Sequence, residues 1–328
     1  MQKIFLFCLL FAGARAAAQT DTAVANLMNS MDEKIKNSKT VTPVFYSQKL
    51  INTNTVEVLH KGILEFKVIH NFGDVAGKNG GIKRFFGLDN ASDVKIAFQL
   101  GITDKLNLVA ARVRGGGNLQ QLYETGIKYQ FIKQEDGNKS RPLSVTAYAN
   151  LVICTMTADT NKTAAQLAIK ENHFENFSDR LSQLVQVMVA KHFGKISLQL
   201  TPTYLHTNYV VTNDQKGMFA IGGGARIPLS KKFILVADYF HPFRTAASEK
   251  ALKSQYAGFY DEDRYDVFGV GVEIVTPGHL FHLNFTNATN ILENRFLPRT
   301  FSSWGKGQYR WGFTVARNFV VFRDKKNK

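Results

Sequence analysis

Apolar and polar residues alternate along the chain from residue 62 to residue 319, in about twelve separate stretches. In Leu64–Val68 the first, third and fifth residues are apolar, and the two between them are charged. Val94–Leu100 repeats the pattern, with Lys95 and Gln99 on the polar side. A period of two is typical of a β-strand with one apolar and one polar face. The fold is therefore predicted to be all-β between these limits.

The connections between these stretches alternate between short and long. Five are short and contain the Gly, Pro, Asp or Lys residues typical of reversals: 101–104, 133–141, 193–195, 228–232 and 276–279. Six are too long for hairpin turns: 73–90, 115–120, 156–180, 207–216, 242–263 and 290–307. Sorting of this kind, with an even strand number, is typical of bacterial outer-membrane barrels. We predict a closed antiparallel transmembrane β-barrel of about twelve strands over residues 62–322, with both termini in the periplasm.

The first residues predict export. Met1–Lys3 is a short basic start, Ile4–Ala12 is apolar, and Ala16–Ala18 supplies the small residues of a cleavage site. This order is typical of a Sec signal peptide, here residues 1–18. Cleavage would remove one of the two cysteines and leave Cys154, which excludes an intramolecular disulfide in the mature chain.

Residues 19–61 differ from the barrel. Asp21–Lys39 has helix-compatible spacing of apolar residues, and Val44–Leu50 and Thr55–His60 resemble two strands around Asn52–Asn54. These two strands could pair with each other, plug the lumen, or extend the barrel to fourteen strands. We favour a periplasmic or luminal hairpin, so residues 19–61 are interpreted as an N-terminal extension. Residues 323–328 form a basic tail.

Composition is consistent with a barrel. After the predicted signal peptide there is no run of 18 apolar residues, and the mean hydropathy is −0.15, because only every second strand residue would face lipid. The formal net charge is +15, yet the basic residues form no compact patch with stacking aromatics, so no nucleic-acid partner is predicted. The expected partners are outer-membrane lipid, lipopolysaccharide, small anionic solutes or another envelope protein.

Three segments carry a family resemblance. Phe85–Asn90, Phe98–Leu106 and Tyr123–Phe131, together with the strand that ends in His70–Gly73, resemble the DUF5777 family of β-barrel proteins from Bacteroidetes. The resemblance implies an outer-membrane barrel and brings no catalytic residues. It also implies that the Phe85–Asn90 segment has a structural role.

Face assignment along the strands predicts eleven charged residues that line the lumen: Glu65, Lys67, Lys95, Arg112, Arg114, Glu124, Lys128, Arg226, Asp238, Glu273 and Arg310. Seven of them are positive and four are negative. In an open pore this excess would favour anions. Alternatively, the charges pair across the interior and fill a narrow barrel.

No enzyme motif accompanies these charges. The sequence has neither a Gly-x-Ser-x-Gly elbow nor a His-Glu-x-x-His pair, so no catalysis, metal or cofactor is predicted. Gly222–Gly224 lacks the Lys-Ser/Thr ending of a phosphate loop, and we interpret it as a strand bend or a site of close luminal packing.

Two hypotheses of function remain. The first is a passive channel or binding scaffold for small, anionic solutes. The alternative is a structural or assembly barrel that docks another envelope protein, without transport or catalysis. The free cross-section of the lumen discriminates between them.

Overall fold

The structure is a computed structural model that describes residues 43–115, 119–135, 138–159, 172–211, 213–256 and 263–322. The predicted signal peptide, the predicted helix over residues 21–39 and the basic tail lie outside the described residues.

Twelve antiparallel strands form one closed wall. They are β1 Ile63–Asp74, β2 Ala91–Gly101, β3 Leu106–Gly115, β4 Gln121–Ile132, β5 Ser144–Cys154, β6 Leu181–Phe193, β7 Ile196–Thr207, β8 Gly217–Pro228, β9 Phe233–Phe243, β10 Val267–Thr276, β11 His279–Thr286 and β12 Arg310–Val320. Each strand pairs with its neighbours in sequence, and β12 pairs with β1. The predicted barrel is confirmed, and the described residues before β1 add no strand to the wall.

The connections are sorted by length between the two ends of the barrel. One end, the short-turn mouth, carries the turns at 102–105, 133–143, 194–195, 229–232 and 277–278. The other end, the long-loop mouth, carries the loops at 75–90, 116–120, 155–180, 208–216, 244–266 and 287–309. Helix α1 (Ala246–Tyr256) lies in the fifth loop and the short helix α2 (Glu293–Phe296) in the sixth. Gly194 and Gly278 have positive φ values of 66° and 88°, which the two-residue turns require.

The outer face of the wall is apolar. Phe98, Leu200 and Phe219 are about half exposed, as side chains that contact lipid would be. Aromatic pairs lie toward both mouths, with Tyr129 and Phe131 near the short turns and Phe285 and Trp311 near the long loops. This distribution resembles the aromatic girdles of membrane barrels. No helix in the described ranges is long and apolar enough to cross a membrane.

Two sectors of the inner face differ in composition. The ionic sector consists of charged side chains on β1, β2 and β4: Glu65, Lys67, Lys95, Glu124 and Lys128. The apolar sector consists of buried side chains on β6 to β9: Leu184, Met188, Leu205, Met218, Ile234, Val236 and Phe240. An apolar wall cannot border free water without a hydrophobic penalty. The second sector therefore requires a covering segment.

Residues 43–60 supply that cover and are called the luminal hairpin. The chain reverses at Leu50–Thr53, where the Leu50 N–H donates to the Thr53 carbonyl over 2.9 Å. Its apolar residues join those of the apolar sector in one buried cluster: Val44, Phe45, Leu50, Ile51 and Val56. Of the alternatives left open by the sequence, the structure shows a hairpin that occupies the lumen.

Residues 287–309, called the inner loop, enter the lumen from the long-loop mouth. Their central segment is fully buried from Ile291 to Leu297. The Ile291 N–H donates to the Asp93 carboxylate over 2.8 Å, and the Phe296 ring lies 5.5 Å from the Phe240 ring. Within the described residues, the barrel is thus filled from both mouths.

Two glycines of the wall make room for the hairpin. A Cβ on Gly224 would lie 2.7 Å from Leu50 Cδ1, and one on Gly269 would lie 2.8 Å from Ile51 Cγ2. The nearby Gly222 leaves space for the Phe240 ring. Of the two interpretations of Gly222–Gly224, close luminal packing is confirmed.

Replacement of Gly224 by Val should displace the luminal hairpin, because the new side chain would overlap Leu50. Overpacking of this kind costs about 1–3 kcal/mol. Urea unfolding of the purified barrel in detergent, followed by tryptophan fluorescence, measures the loss of stability.

Gly223→Val is the matched control, since Gly223 points outward and the nearest atom to its Cβ would be 3.4 Å away. Equal destabilisation by the two substitutions would contradict the contact between the hairpin and β8.

Candidate functional site: the filled lumen

Asp238 on β9 anchors the tip of the luminal hairpin. Its Oδ2 atom accepts the backbone N–H groups of Ile51, Asn52 and Thr53 at 3.1, 2.5 and 2.9 Å, and its Oδ1 atom accepts the Asn52 side chain at 2.8 Å. A buried carboxylate is tolerated only when donors replace its water. Hydrogen bonds to an ionised acceptor are also stronger than those between neutral groups. This contact therefore fixes the position of the hairpin tip against β9.

Amide side chains of the wall hold the rest of the hairpin. The Val56 N–H donates to Gln199 Oε1 over 2.9 Å, and Gln130 donates to the Val56 carbonyl over 3.0 Å. Asn107 bonds to both backbone groups of Leu59, accepting the N–H at 2.7 Å and donating to the carbonyl at 2.9 Å. A backbone that lacks strand partners is thus satisfied by side chains, as burial requires.

The luminal hairpin and the inner loop meet at one buried ion pair. Lys49 Nζ lies 2.6 Å from Glu293 Oε1, and both side chains are at most 5% exposed. The same Glu293 oxygen accepts the Asn54 side chain at 3.1 Å. Loss of one partner of a buried pair typically costs about 3–5 kcal/mol, because the other charge is left without compensation. The junction therefore couples two segments that enter from opposite mouths.

The ionic sector contains two further pairs. Lys67 Nζ lies 2.7 Å from Glu65 Oε1 on the same strand, and Lys95 Nζ lies 2.5 Å from Glu124 Oε2 on β4. Tyr148 also donates to Glu124, over 2.8 Å. These four charges lie on the inner face of the wall, where the sequence predicted them, and they neutralise each other.

Lys128 differs from the other lysines of the lumen. Its side chain is buried, and its Nζ atom is 3.4 Å from the Gln48 carbonyl and 3.3 Å from Gln48 Oε1. In the described part of the chain, no carboxylate lies within ion-pair distance of this ammonium group.

Three other predicted lumen residues also face inward and contact loops or the hairpin. The Arg226 guanidinium lies 4.0 Å from the centre of the Tyr46 ring. Glu273 pairs with His282 at 2.9 Å, and the other ring nitrogen of His282 is 3.1 Å from the Leu50 carbonyl. Arg310 pairs at 2.6 Å with Asp74 at the long-loop mouth.

Arg112 and Arg114 do not line the lumen, so that part of the prediction is wrong. In the strand register Arg112 is opposite Ile96 and Tyr123, which are both on the outer face, and its guanidinium lies 4.5 Å from the centre of the Tyr123 ring. The inner face of β3 instead presents Asn107 and the apolar residues Val109, Ala111 and Val113. Near a membrane boundary, a long basic side chain can extend toward headgroups. Without these two arginines, the predicted lumen residues that face inward comprise five positive and four negative side chains.

A small cavity remains between the luminal hairpin and the ionic sector. Its volume is about 30 Å³, and a buried water needs roughly 10–15 Å³ on the same measure. The space therefore holds one or two occupants of the size of water. A solute larger than that can pass only if the luminal hairpin or the inner loop moves.

The inner loop is held at the long-loop mouth by a second buried network. Arg244 donates to the Pro298 carbonyl over 2.8 Å and pairs with Asp214, which also accepts the Ser248 hydroxyl at 2.6 Å. Burial lowers the pKa of Arg244, and the Asp214 carboxylate opposes that shift. The network links α1, the inner loop and the β7–β8 loop.

One pair of residues with catalytic chemistry was missed by sequence motifs. His192 Nδ1 lies 3.0 Å from Ser197 Oγ across the 194–195 turn. A serine nucleophile also needs a group that orients the histidine, and no described side chain contacts the second nitrogen of this ring. Among the described residues, no group of three or more His, Cys, Asp or Glu is placed to hold a metal ion.

Comparison with solved structures shows weak similarity to several barrels. A structure titled "KdgM porin" has a TM-score of 0.44 at 8% identity, covering 78% of this chain and 99% of its own. The "COG4313 outer membrane channel from Pseudomonas putida F1" has a TM-score of 0.45 at 13% identity, covering 82% of this chain and 100% of its own. Similarity at this level carries no conclusion about function. Comparison with curated proteins gave no match.

The family comparison is decisive for the fold. The family described as "Membrane bound beta barrel domain (DUF5777)" matches residues 45–319. The match begins in the luminal hairpin and ends in β12, so it includes both the wall and the segment that fills it. The chain therefore belongs to the DUF5777 family of membrane-bound β-barrel domains.

Proposed function

We propose that this protein is an outer-membrane channel for small, preferentially anionic solutes, closed at rest by the luminal hairpin and the inner loop. The observation that carries the proposal is the junction of these two segments. They enter from opposite mouths and meet at the Lys49–Glu293 pair, so breaking one contact loosens both obstructions.

The path would follow the ionic sector. The hairpin covers the apolar sector with its own apolar residues, but it leaves the cavity on the ionic side. Contacts on that side are hydrogen bonds and ion pairs. A hydrogen bond between neutral groups contributes only about 0.5–1.5 kcal/mol net, because water or a polar solute can replace it. Displacement of the hairpin from this side is therefore less costly than withdrawal from the apolar sector.

Strand number and loop sorting support the outer membrane as the location. In that orientation the short-turn mouth faces the periplasm and the long-loop mouth faces outward, where Arg112 and Arg114 would approach lipid or lipopolysaccharide headgroups. Export by the signal peptide at residues 1–18 and an origin in Bacteroidetes remain predictions from the sequence.

The second candidate is a structural or assembly barrel that docks another envelope protein. The apolar sector favours it, because full withdrawal of the luminal hairpin would expose these side chains to water. Exposure of one large apolar side chain costs about 1.5–3 kcal/mol, and the sector has seven. A structural barrel whose hairpin never leaves the lumen would not incur this cost.

Glu293→Ala should open the channel. The substitution leaves the Lys49 ammonium buried without its carboxylate, and a loss of about 3 kcal/mol would raise the open fraction roughly 100-fold. Single-channel recordings in planar bilayers measure open probability, with wild type expected to be closed for most of the record.

Asp263→Ala is the control, because Asp263 pairs with Lys253 at the exposed long-loop mouth and surface pairs contribute little. If folded Glu293→Ala stays as silent as wild type, the channel is rejected in favour of the assembly barrel.

A disulfide between Ile51→Cys and Gly269→Cys should close the Glu293→Ala channel, since the Cβ of residue 269 would lie 2.8 Å from an Ile51 side-chain carbon. Cys154→Ser removes the native thiol from this background. Conductance should vanish on oxidation and return with dithiothreitol, as recordings of one membrane before and after reduction would show. Unchanged conductance on oxidation, with the disulfide verified by mass spectrometry, would mean that the hairpin does not control the path.

The open channel should prefer chloride over potassium, because lysines outnumber carboxylates around the cavity. Adding Lys128→Gln to Glu293→Ala should reduce that preference, which the reversal potential in a KCl gradient measures. Lys105→Gln, on an exposed turn, is the control. A cation-selective channel, or one indifferent to Lys128, would contradict the anionic preference.

A further inference from the structure

The cavity beside the luminal hairpin has an unusual lining. Among the described residues, four lysines and one carboxylate border it: Lys49, Lys67, Lys95, Lys128 and Glu65. The other lining side chains are neutral. A space of about 30 Å³ in the middle of the barrel is thus bordered mainly by cations.

Three of these lysines are compensated by carboxylates. Lys49, Lys67 and Lys95 have a carboxylate oxygen within 2.5–2.7 Å. Within the described ranges, the partners of Lys128 are the two oxygens of Gln48, at 3.3 and 3.4 Å. Both distances are longer than a charge-assisted hydrogen bond, which is about 2.7–2.9 Å.

Further carboxylates near Lys128 do not change this conclusion. Glu65 lies on the cavity but is bonded to Lys67. Glu57 on the hairpin contributes a favourable charge at a distance, yet it accepts the Phe45 N–H at 3.1 Å and does not line the cavity. A buried ammonium group without a close counter-charge is costly. The cavity borders Lys128 and has room for an anion that would supply this counter-charge.

The size of the cavity limits the occupant. It accepts one or two groups of the size of water, so phosphate, sulfate and organic acids are too large for it. A halide ion fits.

We propose that the cavity binds one small inorganic anion of the halide class, held by Lys128 with Lys67 and Lys95 beside it. The role of this site as a binding site along an anion path rests on the proposed channel function. Its occupancy requires no transport, so the two can fail separately.

Anomalous diffraction from crystals of the full-length mature barrel grown in sodium bromide tests the site. A bromide peak in the cavity near Lys128 Nζ is expected, with loss of the peak in Lys128→Gln. Lys105→Gln, which alters an exposed turn, should keep the peak. Water density without anomalous signal in wild type would overturn the proposal. So would a bromide peak of equal height in Lys128→Gln, because the ion would then not depend on this ammonium group.

A measurement in solution covers the case in which Lys128→Gln does not fold. Chloride added to wild type in sodium gluconate should raise the unfolding temperature to a saturating limit, as binding to the folded state alone requires. Lys128→Arg keeps the charge and should retain the shift. An identical, non-saturating response to chloride and gluconate would contradict the site. If the barrel binds bromide but does not conduct, the channel proposal is rejected and the anion site is kept. If the barrel conducts but binds no bromide, the anion site is rejected and the channel proposal is kept.

Discussion

The structure depends on one constraint: polar groups buried inside a barrel must find partners there. Asp238 shows how the constraint is met. Its carboxylate points into the lumen, where it accepts three backbone N–H groups from the hairpin tip, and these groups find their partner in the wall. Wall and hairpin therefore satisfy each other. Neither surface would be stable in this form if the other were removed.

The same complementarity extends to apolar residues. The wall from β6 to β9 carries large apolar side chains on its inner face, among polar ones such as Gln199 and Asp238, and the luminal hairpin covers the apolar ones with side chains such as Phe45 and Leu50. On β1, β2 and β4, four charged residues of the ionic sector form two ion pairs, Glu65 with Lys67 and Lys95 with Glu124. The side formed by β6 to β9 therefore holds the hairpin by apolar burial and by the hydrogen bonds of Asp238, whereas the ionic side holds it by exchangeable polar contacts. Motion of the hairpin is therefore expected to begin on the ionic side.

The sequence predicts the wall because lipid outside and polar groups inside impose a period of two on every strand. It fails at Arg112 and Arg114 because beyond Asn107 the inner face of β3 carries only Val109, Ala111 and Val113, so this part of the strand has apolar residues on both faces and the alternation does not identify the inward one. The Lys49–Glu293 pair carries no sequence signal, since its partners are 244 residues apart and meet only after the barrel closes. The Gly222–Gly224 run was more informative, because glycines in a strand indicate close approach of another group.

Hydrogen–deuterium exchange in native lipid tests the central claim most directly. If the luminal hairpin is bound inside the barrel, the amides of residues 50–53 should exchange as slowly as those of the strands, because Asp238 accepts three of them. Substitution of Asp238 by Asn should speed their exchange without affecting β1. Exchange of these amides within seconds in wild type, at the rate of an exposed loop, would contradict the account.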